Sequence, residues 1–239
     1  GKDTVSEKYT YEVRDGIAEG TPGIAEGTVT MQSSTGSIEV ELHATTGAGG
    51  QEYIQYSDNT GGNDYVVIES THDSIINTGQ GNDTIHSGSG NDIIHSGAGN
   101  DIIYGGQGND VMYGGEGADL FVFDRASLSN TISFHDEIKD FTLGEDRISL
   151  GDILTQDSAN LDNILHTGTF AENTLTITGE DGSTMEAFFN ANSVTLNLKA
   201  DGVGEQTISV NMTGGNYSGA ADQEQAQAIL MEMIKNSTN

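Results

Sequence analysis

The sequence predicts an all-β protein whose central element is a parallel β-roll, a form of β-solenoid. Three observations support this fold class. Residues 78–122 repeat every nine residues without an insertion, glycine recurs at the second and fourth positions of each unit, and aspartate recurs at the sixth. The eighth position is always large and apolar. The five units read TGQGNDTIH, SGSGNDIIH, SGAGNDIIY, GGQGNDVMY and GGEGADLFV.

A nine-residue period fits neither a helix nor a long alternating strand, so each unit is interpreted as one turn and one short strand. The glycines suit the turn because they allow positive φ and close backbone approach. Two units then form one coil, and alternation along the strand turns the eighth position inward and the seventh outward. The inward residues are Ile85, Ile94, Ile103, Met112 and Phe121. The outward residues are also apolar, so we expect flanking segments to cover Ile93, Ile102, Val111 and Leu120.

The recurring aspartate predicts a metal site. Stacked parallel strands lie about 4.8 Å apart, so the carboxylates form columns of like charge and a cation must lie between them. Ca²⁺ fits because it accepts about six to eight oxygens from carboxylates and backbone carbonyls, whereas Mg²⁺ is smaller, strictly octahedral and slow to lose water. We expect several ions, each bridging units two apart. This pairs Asp83 with Asp101 and Asp119 on one edge, and Asp92 with Asp110 on the other.

The turn glycines are candidate ligands through their carbonyl groups. They are Gly79, Gly81, Gly88, Gly90, Gly97, Gly99, Gly106, Gly108, Gly115 and Gly117. Two eroded units, NTGGNDYVV and IESTHDSII, precede the clear repeats and place Asp64 and Asp73 at the sixth position. Asn77 then adds one residue, so we expect an irregular turn there and a less secure calcium site at Asp73.

These residues resemble the repeats-in-toxin (RTX) family, whose GGxGxDxUx nonapeptides form a Ca²⁺-binding parallel β-roll in proteins exported by the bacterial type I system. The units GGQGNDVMY and GGEGADLFV fit that pattern in full, and the three earlier units carry Thr78, Ser87 and Ser96 at its first position. A flexible glycine-rich linker would not keep apolar residues at a fixed period. The resemblance covers roughly a quarter of the chain.

The segment after the repeats, HDEIKDFTLGEDRISLGDIL from His135, resembles the DxIxDFxxGxDxIxL sequence that closes the roll in type I exported proteins. A cap is needed because the last coil would otherwise expose strand edges and an apolar end. The resemblance makes Asp136 and Asp140 candidates for the final calcium site. A role as surface carboxylates is the alternative.

Both flanks are predicted to be mainly β. Upstream strands are expected at residues 9–15, 28–31 and 38–42, and YTYEVRDG followed by GTVTM resembles the last hairpin of an immunoglobulin-like adhesin repeat. Downstream, alternation and a Gly-Glu-Asp-Gly turn predict strands, and apolar spacing predicts a helix over 220–235. Those downstream strands are Thr174–Thr178, Thr184–Phe189, Val194–Leu198 and Thr207–Met212. The expected domains are an N-terminal β segment (1–58), the roll (59–123), and a cap with the export region (124–239).

Composition excludes several classes of partner. The 239 residues carry a formal charge of −29, which excludes nucleic acid and anionic membranes. Cysteine is absent, so no disulfide, thiolate zinc site or cysteine nucleophile exists, and metal must stabilise the fold instead. No apolar run approaches the length of a membrane span, and no Sec-type leader opens the chain. We expect a monomer and interpret Gly1-Lys2 as the cut end of a longer protein.

The resemblance implies a function. It indicates the non-catalytic C-terminal region of a large adhesin of a Gram-negative bacterium, secreted or held at the cell surface and folding on Ca²⁺ after export. The acidic tail would carry the export signal for the type I machinery. HExxH, GxSxG and phosphate-loop motifs are absent, so we do not expect an enzyme. Two alternatives stay open: the export domain of a secreted protease or lipase, and a module that binds a glycan or surface ligand.

Overall fold

The computed structural model describes residues 5–14, 24–33, 38–44, 52–58, 61–69, 71–124, 132–150, 153, 161–179, 181–200, 204–214 and 217–234. The first strands are β1 (Val5–Arg14), β2 (Ile24–Ser33), β3 (Ile38–Ala44) and β4 (Glu52–Asp58). The repeats form β5 (Asp64–Glu69), β6 (Asp73–Asn77), β7 (Thr84–His86), β8 (Ile93–Ala98), β9 (Ile102–Tyr104), β10 (Val111–Glu116) and β11 (Leu120–Val122). The closing segment adds β12 (Phe134–Thr142) and β13 (Arg147–Ser149). The rest comprises α1 (Leu161–His166), β14 (Thr169–Ala171), β15 (Thr174–Thr178), β16 (Thr184–Phe189), β17 (Ser193–Lys199), β18 (Gln206–Gly214) and α2 (Gln223–Met233).

Successive strands of the repeats alternate between two sheets, which confirms the parallel β-roll. The first sheet has the order β1-β2-β5-β7-β9-β11-β13, and the second has the order β14-β15-β16-β17-β18-β12-β10-β8-β6-β4-β3. From β5 to β13 and from β4 to β12 the neighbouring strands are parallel. Ile85 pairs with Ile103 in the first sheet, and Ile94 pairs with Met112 in the second. Each coil therefore consists of two nonapeptides.

The core of the roll is a single row of apolar side chains between the two sheets. All five inward residues of the repeats are 0% exposed, as predicted: Ile85, Ile94, Ile103, Met112 and Phe121. The row continues beyond the clear repeats through Val66 and Ile76 on one side, and through Ile138 and Ile148 on the other. The spacing of nine residues thus brings every eighth position into one core.

The outer faces of the roll carry the seventh and ninth positions. Ile93 is 39% exposed, so the expected cover by flanking segments is not found at this residue. The ninth positions stack instead, with ring centroids 4.0 Å apart for His86 and Tyr104 and 4.4 Å apart for His95 and Tyr113. These contacts join neighbouring coils from the outside.

The extra residue of the eroded units lies elsewhere than expected. Val66 pairs with Ile85, a separation of 19 residues, whereas Ile76 pairs with Ile94, a separation of 18. The insertion is therefore Ile68, before the second eroded unit, and the expectation that Asn77 is the extra residue is wrong. The reason is the antiparallel partner β2, which pairs with β5 through Glu69 and so holds a longer strand than the repeats have.

The N-terminal strands extend both sheets. β1 and β2 form an antiparallel pair that joins the first sheet through β5, and β3 and β4 form another that joins the second sheet through β6. Three strands were expected in this region, and residues 9–14, 28–31 and 38–42 all lie in strands. Residues 15–23 lie outside the described part of the chain.

The C-terminal strands also continue the second sheet. β12 pairs in parallel with both β10 and β18, and β14 to β18 form an antiparallel meander. The four predicted strands are confirmed, whereas α1 and β14 were not predicted. The predicted terminal helix is α2, which begins after Asp222, whose carboxylate accepts the N–H of Gln225. Its buried face is Ala226, Leu230 and Met233.

None of the helices in the described ranges is long and apolar enough to cross a membrane.

Candidate metal centre

The sixth-position aspartates form two columns, one on each edge of the roll. In the five clear repeats the aspartate immediately precedes a strand, and successive strands lie in opposite sheets, so alternate units contribute to the same edge. The first column comprises Asp64, Asp83, Asp101, Asp119 and Asp146. The second column comprises Ser74, Asp92, Asp110 and Asp136.

One hydrogen bond repeats along both columns. The N–H of Asp83 donates to Oδ1 of Asp101 at 2.8 Å, and the N–H of Asp101 donates to Oδ1 of Asp119 at 3.0 Å. On the other edge, the N–H of Asp92 donates to Oδ1 of Asp110 at 2.9 Å. The structure thus brings together the residues that the repeat pairs, and it fixes each carboxylate by one oxygen.

The second carboxylate oxygens are buried. The aspartates of both columns are between 0% and 3% exposed. Within the described part of the chain, no hydrogen-bond donor reaches Oδ2 of Asp110 or Asp119. A buried charged oxygen without a partner is strongly unfavourable, whereas a bound cation satisfies it. The columns therefore have the geometry of a cation site.

Burial disfavours the charged form of these aspartates, and their pKa values are raised as a result. Burial raises the pKa of Asp92 and Asp119 to about 7. It raises the pKa of Asp110 to about 9, to which the negative charges of Asp136 and Asp92 contribute. Burial also raises the pKa of Asp101. Without a cation these groups favour the protonated form, and a nearby divalent ion reverses that preference.

Glycine is required where neighbouring turns touch. A Cβ on Gly97, which has φ of +108°, would lie 1.9 Å from the carbonyl oxygen of Gly79 in the preceding coil. The first-position glycines instead make room for carboxylates. A Cβ on Gly105 would lie 2.6 Å from Oδ2 of Asp110, and one on Gly114 would lie 2.3 Å from Oδ2 of Asp119. The turns thus form a backbone-lined cradle around these oxygens.

The candidate glycine ligands lie in these turns. Positive φ angles occur at Gly79, Gly81, Gly88, Gly97, Gly99, Gly106, Gly108, Gly115 and Gly117. The tenth, Gly90, packs against the backbone of His72, where a Cβ would lie 2.4 Å from the carbonyl oxygen. Two of the glycine carbonyls already accept hydrogen bonds between coils, because Gly79 accepts from the N–H of Ala98 and Gly88 from that of Gln107. These two oxygens therefore help to stack the coils.

The first-position hydroxyls, which depart from the GGxGxDxUx pattern, join coils as well. Ser87 donates from Oγ to the carbonyl of Gly105 at 2.6 Å, and Ser96 donates likewise to Gly114 at 2.8 Å. Thr78 donates to the carbonyl of Ser96 at 2.9 Å. The early units therefore replace glycine without breaking the stack.

Asp73 lies outside the columns, contrary to the expectation that it occupies a sixth position. Its Oδ1 accepts the N–H of Asn91 at 2.8 Å, and Oδ1 of Asn91 in turn accepts the N–H of Asn109 at 3.0 Å, so Asp73 stands at the start of an asparagine ladder. The sixth position is held by Ser74, which is 1% exposed and donates its N–H to Oδ1 of Asp92 at 2.7 Å. The shift follows from the insertion at Ile68, which moves the register of the unit by one residue.

The closing segment ends both columns. Asp136 accepts the N–H of Asp110 at Oδ1 and the Gln206 amide at Oδ2. Asp140 lies outside the columns and accepts the N–H groups of Gly114 and Gly115. Sequence reasoning did not count Asp146 among the candidates, although it directly precedes a strand as the repeat aspartates do.

The donor set favours a hard cation. It consists of carboxylate and backbone carbonyl oxygens, which suit Ca²⁺, and it contains no thiolate. Within the described ranges no three His, Cys, Asp or Glu side chains form a compact metal cluster. The carbonyl oxygens of the turns are the candidate ligands beside the aspartates. Five repeat aspartates fit this role: Asp83, Asp92, Asp101, Asp110 and Asp119.

Comparison with protein families agrees with this geometry. The family model described as RTX calcium-binding nonapeptide repeat (4 copies) matches residues 70–102 and 86–121. A comparison with curated proteins gave no match. Repeats of this family bind Ca²⁺, with several ions along the stack. Residues 70–121 of this chain therefore consist of RTX calcium-binding nonapeptide repeats.

Proposed function

We propose that this chain is the calcium-dependent folding and export region of a large secreted bacterial adhesin, without catalytic activity of its own. The observation that carries the proposal is the pair of buried aspartate columns. Oδ2 of Asp119 on one edge, and of Asp110 on the other, meets no donor in the described part of the chain. The roll needs Ca²⁺ to bring these charges together.

Folding and ion binding are coupled in this proposal. The strands between the columns are short, since β7, β9 and β11 have three residues each, and one row of side chains fills the core. That row alone does not offset the cost of burying a column of carboxylates. Bound Ca²⁺ neutralises the columns and joins neighbouring coils, so binding free energy becomes folding free energy.

The coupling suits an exported protein. Where Ca²⁺ is scarce, as in the cytosol, the carboxylates repel one another and the chain stays extended enough to pass through a transporter. Outside the cell, Ca²⁺ concentrations match the weak affinity range of extracellular calcium modules. The chain then folds after export and does not return.

The proposed organisation divides the chain at the roll. Residues 1–58 form the N-terminal β segment, the end of an immunoglobulin-like repeat, residues 59–123 form the roll, and residues 124–239 form the cap and carry the export signal. Two features support the last assignment: the closing sequence from His135 resembles that of type I exported proteins, and the acidic tail contains the helix α2. The type I machinery is the proposed partner, and the proposed location is the exterior or surface of a Gram-negative bacterium.

The test is secretion from a Gram-negative host that carries a type I exporter. The full chain should reach the medium, and a chain ending at residue 216, before α2, should stay inside. The Asp101→Asn variant is the matched control, since it should be exported normally and then require more Ca²⁺ to fold. Secretion that is independent of residues 217–239, or of the exporter, would contradict the export role.

A further inference from the structure

The aspartates of the closing segment differ from those of the repeats in their hydrogen bonds. Asp136 accepts at both oxygens, from the N–H of Asp110 at 2.8 Å and from Nε2 of Gln206 at 2.6 Å. In the repeats, Asp110 and Asp119 each have one oxygen that meets no donor from the described residues. The series of carboxylates with an unpartnered oxygen thus stops at the closing segment.

In the other two closing aspartates, both carboxylate oxygens likewise accept hydrogen bonds. Asp146 accepts the N–H of Asp119 at Oδ1, at 3.0 Å, and the N–H of Thr142 at Oδ2, at 2.7 Å. Asp140 accepts the N–H groups of Gly114 and Gly115 at its two oxygens, at 2.9 and 3.0 Å. Three backbone N–H groups of the last repeat and one of Thr142 therefore donate to these carboxylates.

Among the donors named above for Asp136, Asp140 and Asp146, Gln206 is the one that uses its side chain, and this side chain is buried. It is 1% exposed, as is Asp136, and it begins β18, which pairs in parallel with β12. Gln206 pairs with Phe134 of β12, and this pairing places its amide next to the carboxylate of Asp136. A hydrogen bond from an amide to a buried carboxylate is charge-assisted, and it is strong in such surroundings.

We infer that Gln206 terminates the second column. Its amide donates to the oxygen of Asp136 that would otherwise bind a cation. The metal-binding carboxylates therefore end at Asp110 on this edge and at Asp119 on the other. Asp136, Asp140 and Asp146 then act as hydrogen-bonded ends of the roll. This inference rests on the proposed calcium role of the columns.

The inference assigns an order to the assembly of the roll. Asp136 lies in β12, between the last repeat strand of the second sheet and β18. The carboxylate is satisfied only after residue 206 has docked, 70 residues further along the chain. The last coil is therefore complete only when the C-terminal sheet is in place, and this junction needs no ion.

Native mass spectrometry of the full chain at saturating Ca²⁺ tests the inference by counting bound ions. Asp136→Asn keeps the oxygen that accepts from Asp110, and the Gln206 amide can rotate to offer its carbonyl to the new NH₂ group. We expect Asp136→Asn to bind as many ions as the unaltered chain, and the matched variant Asp110→Asn to bind fewer. Loss of an ion in Asp136→Asn would overturn the inference.

A crystal structure of the unaltered chain grown with Ca²⁺ provides a test that needs no variant to fold. The inference expects ions beside Asp110 and Asp119 and none within about 2.6 Å of either oxygen of Asp136. An ion at that position would overturn the inference and leave the proposed function standing. A chain that binds no ion in either column would overturn both.

Discussion

The backbone nitrogen of Asp92 lies 2.9 Å from Oδ1 of Asp110, one full coil further along the chain. The same contact recurs on both edges of the roll, so each repeat aspartate both donates to and accepts from its column. The contact orients one carboxylate oxygen and turns the other toward the glycine-lined turn. This orientation makes the energetic effect of single substitutions predictable.

Asp101→Asn should weaken calcium binding without breaking the column. Asparagine keeps the oxygen that accepts the N–H of Asp83 and removes only the charge. We expect the calcium midpoint of folding to rise about tenfold, equivalent to about 1.4 kcal/mol. Asp73→Asn is the control, because Asp73 lies in the asparagine ladder and should leave the midpoint unchanged. Equal shifts in the two variants would refute the assignment of the columns.

Ser74→Asp should extend the second column by one carboxylate. Ser74 occupies the place of the repeat aspartate, buried and bonded through its N–H to Asp92. An aspartate there should bind one further ion and lower the calcium midpoint. Isothermal titration calorimetry measures both quantities. An unchanged ion number together with a higher midpoint would mean that the site cannot accept an ion.

In a chelator, acid should favour the folded chain. Burial raises the pKa of Asp92 and Asp119 to about 7 and of Asp110 to about 9, above the value of about 3.9 for a free aspartate. The folded state therefore holds protons that the unfolded state releases. This stabilisation is complete below about pH 4 and is lost as the pH rises through 7 toward 9.

Circular dichroism in a chelator should accordingly show more β-structure at pH 5 than at pH 8. Calcium should show the opposite dependence, binding more tightly at pH 8 because the ion must displace those protons. A β signal in the chelator that does not change between the two pH values would show that the column carboxylates do not limit folding.

Neighbouring isoleucines should respond very differently to truncation. Ile94 is 0% exposed in the core row, whereas Ile93, the preceding residue, is 39% exposed on the outer face. In the calcium-loaded chain we expect Ile94→Ala to lower the free energy of unfolding by about 2–5 kcal/mol, and Ile93→Ala by less than about 1 kcal/mol. Chemical denaturation measures both. Similar losses would mean that Ile93 is covered in solution.

Much of the roll was predictable because its period is fixed. Five units without an insertion determine which residues stack, so the core row and the aspartate pairs follow from counting. The eroded units are different, since one extra residue can be placed at Ile68 or at Asn77 with equal ease. Only the pairing of β5 with β2 decides between them, and that pairing joins distant segments.

The end of the roll was harder to predict for a related reason. Asp136 could be recognised from its sequence context, but its second partner, Gln206, lies 70 residues away in a segment without repeats. The helix α1 and strand β14 were missed as well, because both are short and carry weak periodic signals. Local patterns predicted the strands of the C-terminal sheet, but not the parallel contact between β12 and β18.

A calcium titration of the full chain, followed by far-ultraviolet circular dichroism from excess chelator to millimolar Ca²⁺ at neutral pH, tests the central claim most directly. If ions in the aspartate columns drive folding, β-structure should be low in chelator and should rise in one cooperative transition. A spectrum already rich in β-structure in excess chelator, and unchanged by Ca²⁺, would contradict the account.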